Sequence, residues 1–368
     1  MLSKAALNAI QRCSTIFGML MNVILIQLIL YRSPKSLGVY KYLMIYISAF
    51  ELVFATIEIS IVPDMYTKDS AFFVLVDPRK AVLPDYFLRI ADLIFCGSFG
   101  LSLAIFAVQF VFRYHVLAGY FSFRALSANS LSFFNQRNSS WTSRTPLNLF
   151  FWLGTPLAFG SIWAISCAVY MGRNEYVDRL LRESILPVYD NVEIDRIGFV
   201  GLVFYPKLAN GTEVVNWDAF IGMSLCSAGL LGSELVMLFF GVKCYLSTKC
   251  LMSRSSGSNN FRRLQWQLFY ALVSQTVIPI VFMQLPISMV YVMAFMNSSC
   301  EFFGQLQAVT VSFYLATDAL PTMIIIKSFR ETLFGYLQSV KNQITLVRPI
   351  DENDETGTSM SAINGRIT

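Results

Sequence analysis

Charged side chains, histidine and paired cysteines are all scarce in this chain. Only 14% of its 368 residues are Asp, Glu, Lys or Arg, against about 25% in soluble domains. The single histidine, His115, excludes metal sites that need two histidine ligands. The seven cysteines form no Cys-x-x-Cys pair, which argues against a zinc site or a disulfide framework.

The motifs of catalysis and of nucleic-acid binding are missing as well. The sequence contains no Gly-rich phosphate loop, no metal cluster and no nucleophile with a matching base, so we expect neither enzymatic activity nor a cofactor. The net charge of +5 is spread over short segments between apolar runs. That distribution is typical of membrane topology, and we expect no nucleic-acid partner.

Apolar residues make up 55% of the chain and aromatic residues 15%. This composition predicts that much of the chain lies in a lipid bilayer. A helix crosses the bilayer core with about 20 apolar residues. We predict an all-α seven-transmembrane helix bundle over residues 1–345, followed by a disordered cytoplasmic tail, 346–368. The spans are predicted at about 11–31, 43–63, 90–112, 147–171, 218–241, 266–295 and 302–326.

The loops between these spans fall into two sets with different charge. Loops 32–42, 113–146 and 242–265 contain basic residues and no acid, whereas the loops on the other side contain more acids than bases. The positive-inside rule therefore predicts an outer N-terminus and an inner C-terminus in the plasma membrane. The sequon at Asn210 then lies in an outer loop, where it is a predicted glycosylation site.

Several acids lie within the predicted spans, where ionisable groups are expensive and usually face the bundle interior. Glu51 and Asp318 each lie about 12 Å from the inner end of their spans, and Glu234 lies at a similar level. We predict an intramembrane polar network of these three residues, able to share a proton or a sodium ion. The alternative is that each acid only bonds neighbouring polar groups and holds helices together.

Four further polar residues are candidates for a ligand pocket. Glu58 lies two helical turns beyond Glu51 on the same face, and Asp92 opens the third span, where it could instead be an interfacial residue. Gln275 and Gln284 are the polar residues of the sixth span best able to reach a ligand or another helix.

Proline interrupts the sixth and seventh spans. Pro279 and Pro286 each remove a backbone donor from the sixth span, and Pro321 does so in the seventh. Pro279 and Pro286 predict a helix hinge, with a fixed kink as the alternative. At the inner end of the third span, Arg113 by itself is typical of a cationic side chain that reaches the membrane surface.

Taken together, these features resemble the nematode seven-transmembrane chemoreceptors of the Str type, over about residues 8–345. The order and spacing of several short motifs carry the resemblance. They are Ser33-Pro34-Lys35-Ser36-Leu37-Gly38, Phe112-Arg113-Tyr114, Asn216-Trp217, Phe240-Gly241-Val242-Lys243, Gln265-Trp266-Gln267-Leu268-Phe269 and Asp318-Ala319-Leu320-Pro321.

The resemblance implies a rhodopsin-like, G-protein-coupled olfactory receptor in the cilium of a sensory neuron. Its implied partners are a small-molecule odorant or other chemical cue and a heterotrimeric G protein. Arg113 and Tyr114 match the Asp/Glu-Arg-Tyr microswitch of such receptors, and Asp318 and Pro321 match the Asn/Asp-Pro motif of the seventh span.

The chain departs from the rhodopsin-like pattern at three places. Phe112 replaces the acid that would hold Arg113, two residues separate Asp318 from Pro321, and loop 172–217 has no cysteine for the usual disulfide. A bridge between Cys13 and Cys300, both near the outer face, is a further hypothesis.

Two other functions stay open at this point. A ligand-gated cation channel subunit of seven-helix type is the main alternative, although that class has its N-terminus inside. A transporter would show internal repeats with paired broken helices, and the prolines of the sixth span have no clear counterpart in the first half.

Overall fold

The computed structural model describes residues 3–34, 37–38, 40–126, 146–185, 187, 193–207, 211–253 and 259–347. Within these residues, seven helices are long and apolar enough to cross a membrane, as predicted. The first five spans are the helices Lys4–Arg32, Tyr40–Ile61, Asp85–Leu126, Pro146–Tyr170 and Trp217–Ser253. The sixth and seventh, Asn259–Phe295 and Glu301–Ile325, are built from more than one helical piece.

The third and fifth spans are longer than the predicted 90–112 and 218–241. The third helix has 42 residues and the fifth has 37, which at 1.5 Å per residue gives lengths of about 63 and 56 Å. A bilayer core needs only about 20 residues, so both helices continue past its thickness. The predicted bounds were too short because hydropathy locates only the part of a helix that lies in lipid. No proline ends either helix at the surface of the bilayer core.

The sixth span is irregular between its two prolines. An α-helix, Asn259–Pro279, is followed by a π-helical segment, Ile280–Gln284, and then by the α-helix Leu285–Phe295. Pro286 lies in the first turn of that last helix, and its missing N–H frees the carbonyl four residues earlier, at Phe282 in the π-helical segment. The distortion therefore lies between the two prolines, one turn before Pro286.

The seventh span is also divided. The helix Glu301–Thr317 ends just before Asp318, and a shorter helix, Ala319–Ile325, follows. Asp318 keeps α-helical dihedrals, and the break lies one turn before Pro321, whose missing N–H frees the carbonyl of Thr317. After Ile326 the chain forms one more helix, Lys327–Val347. It runs two residues into the segment predicted as disordered, and residues 348–368 lie outside the described residues.

A small antiparallel sheet covers one end of the bundle, and the sequence analysis does not predict it. Its strands are β1 (Asp64–Lys68), β2 (Ala71–Val76) and β3 (Gly198–Val203), in the order β1-β2-β3. The strands β1 and β2 form a hairpin, and β3 joins β2 from the connection between the fourth and fifth spans. We call this end, which also carries the start of the first span, the sheet end.

Backbone and side-chain bonds tie the sheet to the spans. The hydroxyl of Thr67 donates to the Cys300 carbonyl and accepts a bond of 3.2 Å from the amide of Gly304. The amide of Gly201 donates to the carbonyl of Met171 at 2.9 Å. A side chain at Gly304 would collide with the Met65 carbonyl, since an added Cβ would lie 2.2 Å from that oxygen. The sheet and the seventh span are therefore in direct backbone contact.

The opposite end of the bundle, which we call the basic end, carries basic side chains and the start of the helix Lys327–Val347. A cluster of buried apolar residues joins the spans there, with Tyr40, Phe112, Trp152, Leu264 and Phe329 among its members. Its charged side chains among the described residues include Arg32, Lys41, Lys243, Lys249, Arg262, Arg263, Lys327 and Arg330.

All seven cysteines are free thiols. The hypothesis of a bridge between Cys13 and Cys300 is therefore wrong for this structure, in which both side chains are exposed. Hydrogen bonds hold the sheet end together where a disulfide was considered. Cys300 contributes to them through its backbone carbonyl and not through its sulfur.

Candidate functional site

A cavity lies between the sheet and the spans. It has a volume of about 50 Å³ and is lined by residues of all three strands and of the second, third, fourth, sixth and seventh spans. Its aromatic walls are formed by Phe54, Phe72, Phe95, Phe99, Trp163 and Tyr291.

A few polar groups face this apolar space. Gln307 of the seventh span lines the cavity, is 1% exposed, and its carbonyl oxygen has no hydrogen-bond partner among the described residues. Tyr291 and the thiols of Cys96 and Cys167 also line it. The sequence analysis missed Gln307 and Tyr291. A polar residue inside an apolar span was the available signal for Gln307, but helix rotation decides whether it faces a cavity.

Asp92 is buried beside the cavity and is not an interfacial residue. Its side chain is 0% exposed, and neither carboxylate oxygen has a hydrogen-bond partner among the described residues. Asp92 lies one helical turn before Cys96, which lines the cavity. The carboxylate is therefore adjacent to the cavity wall, although Asp92 is not one of the lining residues.

The other three predicted pocket residues lie away from the lining. Glu58 accepts hydrogen bonds from Thr15 at 2.7 Å and from Ser312 at 2.6 Å, so it joins the first, second and seventh spans. The amide of Gln275 donates to the backbone carbonyl of Asp318 at 3.3 Å. Gln284 is buried within the π-helical segment, and its amide has no partner among the described residues.

The predicted polar network is present in part. Glu51 and Asp318 are both buried and close enough for their charges to interact. The hydroxyl of Tyr314 donates to Glu51, and Gln275 reaches the carboxylate of Asp318 at 3.5 Å. One oxygen of each acid has no hydrogen-bond partner among the described residues.

Glu234 does not join this network. It lies on the fifth span, which packs mainly on the third, fourth and sixth spans, and its side chain is only partly buried. No hydrogen bond or ion pair connects it with Glu51 or Asp318 within the residues that the structure describes. Counting residues along each span predicted that the three acids lie at the same depth. The packing order of the helices nevertheless separates the fifth span from the second.

At the basic end, the side chain of Arg113 is turned into the bundle. It is 3% exposed and donates to the backbone carbonyl of Gln265 and, at 3.5 Å, to the side-chain oxygen of that residue. Its guanidinium lies 5.9 Å from the centre of the Tyr40 ring. Arg113 therefore connects the third span with the sixth and second spans, in contrast to a side chain that reaches out to the membrane surface.

The neighbours of Arg113 have separate roles. Phe112 is buried and packs edge-on against Trp152, with ring centres 5.3 Å apart, so the missing acid is replaced by a core residue. Tyr114 packs against Phe240 at 5.6 Å and lies under the ammonium group of Lys243 at 5.3 Å. These contacts join the third span to the fifth.

Two predicted features of the loops cannot be placed. Asn210, the predicted glycosylation site, lies outside the described residues. The same holds for residues 127–145 of the predicted basic loop 113–146 and for residues 254–258 of the loop 242–265. The described parts of the loop 242–265 belong to the fifth span, which ends at Ser253, and to the sixth, which begins at Asn259.

Comparisons with known proteins agree with the geometry. The profile of the family described as "Serpentine type 7TM GPCR chemoreceptor Str" matches residues 7–334. The chain is 27% identical over 317 residues to "G-protein coupled receptor str-217" of Caenorhabditis elegans, covering 86% of this chain and 85% of that protein. It is 26% identical over 323 residues to "Serpentine receptor class r-10" of the same organism, covering 88% of each.

The fold itself resembles that of a solved receptor. The crystal structure of squid rhodopsin matches with a TM-score of 0.56, covering 91% of this chain and 85% of that one, at 13% sequence identity. At this identity the match supports the helix arrangement alone.

Proposed function

The chain belongs to the Str family of serpentine seven-transmembrane chemoreceptors, and from this premise we propose that it converts binding of a small molecule into activation of a G protein. The family is one of receptors and not of enzymes, and the chain is a multi-pass membrane protein. We propose that the cue binds in the aromatic cavity under the sheet and that a heterotrimeric G protein binds at the basic end.

One observation carries this proposal, namely that the sixth span takes part in both sites. Tyr291 of this span lines the cavity, and Gln265 of the same span accepts the hydrogen bonds of Arg113. The π-helical segment Ile280–Gln284 lies between them. A ligand that shifts the part near Tyr291 would thus act on the contact that holds the basic end closed, provided that it binds one arrangement more tightly than the other.

The orientation follows from charge. We propose that the sheet end faces outward and the basic end faces the cytoplasm, because basic residues favour the inner side. The plasma membrane is then the site of action, and family resemblance suggests the cilium of a sensory neuron. The basic loops 113–146 and 242–265 would contact both the G protein and anionic lipid.

The test is a cell assay with a promiscuous Gα subunit and a calcium reporter, using a panel of small volatile and water-soluble compounds. We expect at least one compound to evoke a signal in the wild type. Arg113→Ala should abolish that signal while the protein still reaches the cell surface. Arg32→Ala, which removes an exposed arginine at the same end, should retain it.

The same cells distinguish the main alternative. A ligand-evoked current that persists without any G protein would contradict the receptor proposal and favour a cation channel subunit. An unchanged signal in Arg113→Ala would contradict the proposed role of the basic end.

A further inference from the structure

We propose that the cavity under the sheet recognises an aromatic amine in its cationic form, with Asp92 as the counter-ion. This inference rests on the proposed function, since it names the chemical class of the cue. It starts from a buried carboxylate that has no hydrogen-bond partner among the described residues.

Asp92 is unusual among the buried acids of this chain. Both of its oxygens are buried without a hydrogen bond from any described residue. Glu58, at a comparable burial, accepts one hydrogen bond on each oxygen, from Thr15 and Ser312. Buried carboxylates are normally paired or hydrogen-bonded, because water no longer solvates them. Glu58 meets that rule within the bundle, and Asp92 leaves its acceptors open for a ligand.

The position of Asp92 brings those acceptors to the cavity. Asp92 lies one helical turn before Cys96 on the third span, and Cys96 lines the cavity. The nearest cation along the third span, Arg89, is one turn closer to the sheet end and is exposed. A bound cation would therefore meet no competing side chain at the carboxylate.

The rest of the cavity fits the same class of ligand. Gln307 presents an unpartnered carbonyl oxygen, which is another acceptor in need of a donor. The faces of Phe95, Phe99 and Trp163 line the apolar part of the cavity. Aromatic faces attract cations and also pack against aromatic rings. Acceptors combined with aromatic walls select a ligand that brings an ammonium group and an aryl group.

The experiment uses the purified full-length chain in detergent and two probes of nearly equal shape, 2-phenylethylamine and 2-phenylethanol. Their effect on the melting temperature is compared at equal millimolar concentration and neutral pH. We expect the amine to raise the melting temperature by about 3 °C, through ligand binding to the folded state. The alcohol should produce less than half of that rise.

Two variants assign the effect to the carboxylate. Asp92→Asn keeps the shape and removes the charge, so the difference between amine and alcohol should disappear. Asp92→Glu keeps the charge and should retain part of the difference. Glu58→Gln is the matched control: it removes another buried acid charge and should leave the difference in place.

Three results would overturn the assignment: equal shifts from amine and alcohol, no shift from either, or an unchanged amine effect in Asp92→Asn. The comparison of the two probes on wild type remains decisive if a variant fails to fold. None of these results depends on a G protein. If the receptor signalled to neutral compounds and this signal depended on Arg113, the proposed function would stand and only the assignment of an amine ligand would be wrong.

Discussion

The two ends of the bundle are held closed by different kinds of contact. At the sheet end, β1, β2 and β3 pair through backbone hydrogen bonds in a fixed register, such as Tyr66 opposite Phe73. At the basic end, side chains make the closure, through the contact of Arg113 with Gln265 and the apolar cluster around Phe112. Within the described residues, no strand pairing occurs there.

This difference separates a fixed end from an adjustable one. A strand can change register only by whole residues, and each step turns its side chains to the opposite face. Helices packed through side chains can switch between two arrangements by shifts of about 1–2 Å. The cavity is thus built on the end that keeps its shape, and the proposed G-protein site is on the end that can repack.

Breaking the fixed end should have the largest effect. Gly304→Leu would place a side chain where even a Cβ lies 2.2 Å from the Met65 carbonyl, so the sheet and the seventh span could not both keep their positions. We expect surface expression to fall to about a tenth or less, as for strong overpacking of a core. Antibody labelling of intact cells measures this.

The control for that substitution is Gly232→Leu in the fifth span, where an added Cβ meets no atom within 4 Å. Near-normal expression of Gly232→Leu is expected. If both variants reached the surface equally well, the close contact between the sheet and the seventh span would not be needed for folding.

A smaller loss should follow when the hydrogen bonds of Glu58 are removed. Glu58→Leu leaves the hydroxyls of Thr15 and Ser312 with only backbone carbonyls of their own helices as acceptors. We expect a loss of about 1–3 kcal/mol in the free energy of unfolding, since two hydrogen bonds of about 0.5–1.5 kcal/mol each are removed. Glu234→Leu, a partly buried acid of the fifth span, should not destabilise the protein. Thermal unfolding of both purified variants decides, and equal losses would contradict the special role of Glu58.

Weakening the adjustable end should change signalling more than stability. Tyr40→Leu removes the ring beneath the Arg113 guanidinium. Both side chains are buried, and such a contact is worth about 2 kcal/mol between desolvated groups. If that contact favours the closed state, ligand-independent signalling per surface receptor should rise by up to about thirtyfold. Tyr42→Leu, on an exposed position of the same helix, should leave it unchanged. A fall in basal signalling in Tyr40→Leu would show that the contact favours the active state.

The smallest expected effect concerns an acid of the sheet end outside the spans. Burial alone would raise the pKa of Asp77, but hydrogen bonds from Arg79 and the charges of Arg79 and Lys80 outweigh it and lower the pKa below its ordinary value. A lowered folded-state pKa adds stability above the unfolded pKa of about 3.9, and this stability is lost as the pH falls through the folded-state pKa.

Because Arg79 is about half exposed, this contribution should stay below about 1 kcal/mol. Asp77→Asn should lower the melting temperature slightly at pH 6 and less at pH 3, compared with wild type. The same difference at both pH values would exclude Asp77 as the titrating group.

The sequence predicted the elements that depend on local pattern. Apolar runs of bilayer length located all seven spans, and Pro279 and Pro286 indicated where the sixth becomes irregular. The sheet could not be found in this way, because β2 pairs with β3 across more than 120 residues. The run Ala71–Val76 has the β-branched and aromatic residues of a strand, but no feature of the local sequence identifies the strand with which it pairs.

The sequence indicated which kinds of residue form the site, but it indicated less well where each of them lies in the bundle. Glu51 and Asp318 were selected as polar groups within spans and Arg113 by the family resemblance, and the structure places all three in the interior. Gln307 was missed and Glu234 was placed in the wrong neighbourhood, since both outcomes depend on the rotation and packing order of whole helices. Depth along a span follows from residue count, whereas neighbours across the bundle do not.

The free state of all seven thiols has a consequence for how this protein can be made and handled. A sheet end closed by hydrogen bonds requires no oxidative step during synthesis, no oxidoreductase to pair the correct sulfurs, and no protection from reductants afterwards. Dithiothreitol present throughout extraction and purification should leave the sheet end and its cavity unchanged. The chain could then be produced in hosts or cell-free systems whose reducing interior prevents disulfide formation.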